Sequence, residues 1–295
     1  MLEHLNATPE KPSRVVVMGA GGFVGGACVA RLAAEGVEVL GMTRRDVDLL
    51  APDAAATLAA KLRPDDVLIA VSALAPVKTV PMFVDNMVMV GAMCAALERT
   101  PVAHVVNISS DAVYADSPAP LTEDSVKAPD NLHGQMHVSR ELLFREAVKG
   151  PLVSLRPTLI YGAEDPHNGY GPNRFRRLAA KGEAITLFGE GEERRDHVLV
   201  EDVAEIVARC VLHRSVGALT VATGEVVSFR ELAEVVVAQF DRPVPVQGSV
   251  RNGPMPHDGY RPFDISACRA AFPEFSYTLP RDGIARVHRQ AIQSA

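Results

Sequence analysis

Short apolar runs alternate with longer segments of helical period along this chain. Val15–Met18, Val37–Leu40, Val67–Val71, Val102–Ile108 and Leu152–Leu155 are apolar without alternation. Strands of that kind are buried on both faces. Between them lie Phe23–Glu35, stopped by Gly36, and the alanine-rich Asp53–Leu62. Val80–Glu98 follows, with Phe83, Val84, Met87, Val88 and Met93 at helical spacing, and then His133–Val148. Strands and helices in this alternation predict an α/β fold with a doubly wound parallel sheet, its crossovers right-handed.

Residues 1–13 read as a loose tail. Beyond residue 162 the pattern is less regular. Residues 163–197 hold loops and one basic helix around Arg174–Ala180, and 198–222 return to strand and helix. Residues 226–295 combine a helix at Phe229–Phe240 with proline-rich connections. The predicted division is a main domain over 13–162 plus 198–222, and a smaller C-terminal α+β lobe from 163–197 and 223–295. Asp202 reads as the N-cap of the helix that follows it.

Composition narrows the possibilities. The chain has 295 residues, 47% hydrophobic and 22% charged, which excludes wholesale disorder. Its net charge of −6 argues against a nucleic-acid partner. No run of 18 apolar residues is present, so no membrane span is expected. The N-terminal stretch lacks the apolar core of a signal peptide. Cys28, Cys94, Cys210 and Cys268 form no CxxC pair and read as reduced core thiols. Together these predict a cytoplasmic protein.

Candidate chemistry begins at Gly19, Gly22 and Gly25, which directly follow the first strand and open the first helix with Phe23 and Val24. Glycines let the backbone approach a pyrophosphate, and the helix N-terminus offers it free N–H groups. The end of the second strand reads Thr43-Arg44-Arg45-Asp46, with no carboxylate at the strand end itself. An arginine there suits a ribose 2′-phosphate and favours NADP(H). The alternative is that the two arginines are ordinary loop charges and Asp46 reaches round to bind NAD(H).

The glycine spacing resembles that of the extended short-chain dehydrogenase/reductase family, the NAD(P)-dependent nucleotide-sugar epimerases, dehydratases and reductases. Further segments are similar in the same order: Asp66–Ala73; Val84-Asp85-Asn86 with Gly91; Ile108–Tyr114; Leu155–Gly162; Arg195–Ala204; and a weaker echo at Asp264-Ile265-Ser266. The resemblance implies a Rossmann domain with a substrate lobe, a nucleotide-sugar substrate and a homodimer. It places Val71, Ser72, Ala73, Asn86 and Pro157 beside the cofactor, and Asp48-Leu49 at the adenine. It also places Arg195 on the substrate pyrophosphate. Arg174 and Arg261 are further phosphate candidates, and Asp111 and Asn168 complete the substrate side.

The family's catalytic set is Ser or Thr with Tyr-x-x-x-Lys. Ser110 fills the first place, but His133 stands at the tyrosine position and His137 at the lysine position, framed by Gly134 and Glu141. Three readings compete. His133 is the acid/base, with a pKa suited to neutral pH, and His137 holds a ribose hydroxyl. Alternatively the fold binds cofactor without turnover, as a sensor or partner protein. In the third, His133, His137 and Glu141 share a helix face and bind zinc. A bland alternative is two helix histidines with no special role.

Overall fold

The computed structural model describes residues 2–293. Its main sheet has seven strands: β1 (Glu3–His4), β2 (Arg14–Met18), β3 (Val39–Met42), β4 (Asp66–Ala70), β5 (His104–Ile108), β6 (Leu152–Pro157) and β10 (Ser215–Val221). The order across the sheet is β1-β10-β6-β5-β4-β2-β3. All neighbours are parallel except β1 with β10. The order reverses between β2 and β4, so the strand ends diverge there and open a crevice. The α/β, doubly wound class predicted above is the fold observed.

The crossover helices are α1 (Phe23–Ala34), α2 (Ala54–Ala59), α3 (Val80–Arg99), α4 (Leu132–Ala147) and α6 (Val200–Leu212). One face of the sheet packs Val15, Val17, Ile69, Val106 and Leu155 against α1 and α6. The other packs Val16, Leu68 and Val105 against Val90, Met93 and Leu97 of α3. Val15, Val16 and Val17 are wholly buried, which explains a strand without alternation. Each such side chain contributes about 1.5–3 kcal/mol by leaving water. At the base of the sheet Arg14 pairs with Asp66 through two contacts of 2.8 and 2.7 Å, joining β2 to β4. The length and composition of α3 would suffice to cross a membrane; here it packs between α2 and α4, with Asn86 and Met93 buried.

The smaller lobe is built on β9 (Arg194–Leu199). It pairs with β7 (Leu159–Tyr161), β11 (Val226–Ser228) and β13 (Tyr260–Arg261). Helices α5 (Pro172–Ala180), α7 (Phe229–Val237) and α9 (Pro280–Gln293) cover it, with a short pair of β8 (Ile185–Thr186) and β12 (Val246–Gln247) at its edge. Helix α8 (Ser266–Ala271) does not belong to this lobe; Cys268, Phe272 and Phe275 pack on the main core.

Three expectations are corrected. The tail is tied down: β1 pairs with β10, and the Asn6 and Glu10 N–H groups donate to His213 and Leu212 carbonyls at 3.0 and 2.9 Å. An edge strand with unpaired backbone groups captures it, which a polar tail does not announce. The lobe's sheet begins at Leu159 rather than 163, and residues 266–277 return to the main domain. Asp202 lies inside the first turn of α6 and accepts from Thr278 N at 2.6 Å, fixing the approach to α9.

Candidate active site

A cavity of about 1330 Å³ runs from the glycine loop along the C-terminal strand ends into the cleft between main sheet and smaller lobe. Its first part is a backbone cradle. Gly19 has φ +104°, and a Cβ there would lie 2.8 Å from Ser72 N. A Cβ on Gly25 would come within 2.0 Å of the Gly19 carbonyl oxygen, so only glycine lets α1 start this close to the loop. Gly22 caps α1 with no side chain, leaving the first N–H groups for a ligand anion. Gly19, Gly22, Phe23, Val24, Thr43, Arg44, Asp48, Leu49, Val71, Ser72, Ala73 and Pro157 line this part; Gly25 shapes it from behind. The residues present fit a dinucleotide: an open cradle, an anion-ready helix end and an apolar slot at Val47 and Leu49.

Arg44 stands exposed at the rim, 3.1 Å from Asp48 Oδ2. Water screens an exposed pair of this kind, so it holds Arg44 only weakly. Asp46 is turned away. Its Oδ2 accepts from Thr43 N and Oγ1, both at 2.8 Å, and it does not line the cavity. Asn86 does not line it either. Its amide brackets Leu74 N and O at 2.9 and 3.0 Å, so it pins the loop after β4 rather than touching a cofactor. Sequence reasoning missed Arg140. Fully buried, it donates to Asn107 Oδ1, Ser72 O and Ala70 O, and so holds the same loop to α4.

The centre of the cavity brings Ser110, Asp111, His133 and His137 together. Glycine explains the approach here too. A Cβ on Gly134 would meet Ala112 O at 2.3 Å, so α4 can lie against the turn that carries Ser110 only with glycine at that position. Ser110 Oγ accepts from Ala112 N at 3.1 Å. The Val77 N–H points at His133 Nδ1 at 3.5 Å, a long contact that favours the proton on Nε2. His133 and His137 meet edge to face at 4.9 Å. Burial lowers the pKa of His133, and the nearby Asp111 charge opposes that shift. Burial, His133 and Arg140 hold His137 well below its usual range. His137 Nδ1 is buried without a hydrogen-bond partner.

Glu141 is committed elsewhere. It accepts from Arg156 Nε and Nη2, both at 2.8 Å, and from Ser109 Oγ at 2.7 Å. It therefore supplies no third ligand to the two histidines. No cluster of three His, Cys, Asp or Glu side chains able to hold a metal occurs among the described residues.

The substrate side departs from expectation. Arg195 lines the cavity with its side chain 13% exposed. Arg261 also lines it, but four of its five N–H groups are engaged, by Asp111 Oδ2 and O, Tyr114 O and Asp116 Oδ1. Arg261 thus braces Asp111 instead of presenting a free fork. Asn168 and Arg174 are exposed and lie off the cavity wall, because the first turn of α5 buries Asn173 and Phe175 and turns Arg174 outward. The wall residues in their place are Asp165, Tyr170, Asn173 and His197. Gly171-Pro172-Asn173, a helix-opening triplet, was the available signal for Asn173.

Comparison with known proteins accords with this geometry. The sequence profile of the NAD dependent epimerase/dehydratase family matches residues 15–221. A dTDP-4-dehydro-6-deoxy-D-allose reductase from Streptomyces bikiniensis is 30% identical over 271 residues, 78% of this chain and 82% of that protein. A GDP-L-fucose synthetase from Naegleria fowleri, solved with NADP, superposes at TM-score 0.85 with 17% identity, covering 99% of this chain and 97% of that one. MoeE5, solved with UDP-glucose and NAD, superposes at 0.81 with 23% identity, covering 95% and 99%. From the glycine cradle to the strand that ends at Val221, this chain belongs to the NAD dependent epimerase/dehydratase family of extended short-chain dehydrogenases/reductases, enzymes that work with a nicotinamide dinucleotide.

Proposed function

We propose that this chain is an NADP(H)-linked reductase of a carbonyl on a nucleotide-diphosphate sugar, with His133 acting on the substrate oxygen. The observation that carries this reading is His133 itself, in the cavity centre beside Ser110, with the Val77 N–H on its Nδ1. In that tautomer Nε2–H donates a hydrogen bond to a carbonyl oxygen and stabilises the charge that builds there. Ser110 Oγ accepts from Ala112 N and donates to Asp111 Oδ1 over a long 3.4 Å, a contact it can exchange for the same substrate oxygen. The imidazolium form delivers the proton outright, and burial keeps that form scarce until the pH falls below the ordinary histidine range. When bound, the reduced cofactor supplies the hydride. The glycine cradle would hold its pyrophosphate, His137 a ribose hydroxyl, and Arg44 the 2′-phosphate.

Arg44 at the rim supports NADP(H), and the reductase relative from Streptomyces supports the direction. Relatives named dTDP-L-rhamnose 4-epimerase and UDP-glucose 4-epimerase favour a second reading, in which the same site returns the hydride to the other face of the sugar. The apolar outer faces of α3 and α4 support a homodimer. Four free, buried cysteines suit a reducing compartment, hence the cytoplasm.

The test is NADPH oxidation with a panel of 4-keto nucleotide sugars. Reduction should keep rising as the pH falls below the ordinary histidine range, and His133→Ala should lower kcat by about 100-fold or more. An unchanged rate in that variant removes His133 from the mechanism. Turnover without net NADPH consumption selects the epimerase reading.

A further inference from the structure

The cavity wall around Gly171 carries two buried acceptors that no protein donor meets. His197 lines the cavity and is 1% exposed. Its Nδ1 lies 3.2 Å from the Arg195 carbonyl oxygen. A carbonyl can only accept, so the neutral ring carries its proton on Nδ1 and leaves Nε2 as a bare lone pair. Nε2 has no partner. Burial, reinforced by the Arg195 cation, holds the ring neutral down to about 3. Phe229 packs edge to face on it at 5.5 Å and fixes its plane. The second acceptor is Asn173 Oδ1. The amide's Nδ2 donates to Asp165 Oδ2 at 2.6 Å, which leaves the oxygen unpaired. Gly171 keeps the space beside them clear, since a Cβ there would lie 3.9 Å from His197 Nε2.

A buried acceptor left without a donor costs about 1–3 kcal/mol, and in a binding cavity a ligand is the natural source of the missing donor. We propose that His197 is a specificity residue whose Nε2 accepts a hydrogen bond from a hydroxyl or N–H of the nucleoside carried by the substrate. This rests on the nucleotide-sugar reading above. A lone pair repels phosphate oxygens, which are acceptors as well; the anion belongs to neighbouring Arg195. Tyr170 lines the same wall, and Phe188 and Phe229 pack on its ring at 4.5 and 4.6 Å, so its face offers an apolar support for a flat base.

The test is calorimetry of UDP, dTDP, GDP and inorganic pyrophosphate on the wild type, His197→Phe and His197→Gln, with NADPH titrated into each as a check on the other half of the cavity. His197→Phe keeps the ring shape and removes the acceptor. It should weaken the preferred nucleoside diphosphate by about tenfold or more and leave pyrophosphate and NADPH unchanged. His197→Gln restores an acceptor and should recover most of the loss. Equal nucleoside diphosphate affinity in His197→Phe and wild type overturns the inference alone, as does parallel loss of pyrophosphate and nucleotide. A wild type that binds NADPH but none of the three nucleotides overturns the nucleotide-sugar reading and the inference with it.

Discussion

Four of the five N–H groups of Arg261 meet an oxygen acceptor, and this shows what single residues do in this site. Asp111 is buried beside His133, and Arg261 lies against it at 3.1 Å. Taking away one partner of such a pair leaves the other buried and uncompensated. Arg261→Met should therefore cost about 3–5 kcal/mol in urea unfolding. Adding Asp111→Asn should recover part of that loss, and strictly additive losses would show that the two do not act as a pair. Arg44 is the opposite case, exposed and held only by Asp48. If it reads a 2′-phosphate, Arg44→Ala weakens NADP(H) by about tenfold or more and leaves NAD(H) nearly unchanged. Equal losses for the two would remove Arg44 from cofactor choice. The places of Arg44 and Ser110 on the cavity wall could be read from local sequence, because each stands at a strand end whose position the pattern predicts. Those of Arg261 and Asp116 could not: their contact joins residues 145 apart in the chain.

Among the elements, α3 and α4 stand out by what they leave uncovered. Val80, Val84 and Val88 recur every fourth residue along α3 and are 64, 52 and 48% exposed. Leu142 and Leu143 on the adjacent α4 are 45 and 36% exposed. An apolar stripe of this kind across two packed helices fits a second copy of the chain. Val84→Lys is then expected to convert a dimer to a monomer in analytical ultracentrifugation without loss of helix signal in circular dichroism. A wild type that sediments as a monomer would exclude this interface. Spacing announced the helix α3 but not which face it buries: of Phe83, Val84, Met87, Val88 and Met93 only Met93 is fully buried, while Val84 and Val88 lie on the outer stripe. Packing within one chain and packing between two leave the same residues in the sequence.

At the scale of the molecule, buried histidines set the acid limit of stability. Burial holds His104 neutral down to about 4, and burial with the Arg195 cation holds His197 neutral down to about 3. Unfolded, both take up a proton near 6.5. Between these values the unfolded chain binds more protons, so stability falls as the pH falls. Asp196, pushed up to about 6 by burial, works in the opposite sense between 6 and its ordinary range and offsets one of the two. The thermal midpoint should therefore decrease steadily from pH 7.5 to 4.5; a flat or rising midpoint would contradict the balance. The order of strands and helices, the glycine cradle and the pair His133 and His137 one turn apart on α4 all follow from local pattern. Burial period and backbone permissiveness are written residue by residue, so one chain suffices to read them. The far half of the site is another matter. The smaller lobe gathers β7, β9, β11 and β13 from distant stretches, and it is their pairing that buries His197 and Asn173, turns Arg174 outward and closes Arg261 onto Asp111. Those are long-range contacts, and their energies depend on neighbours that no local window contains.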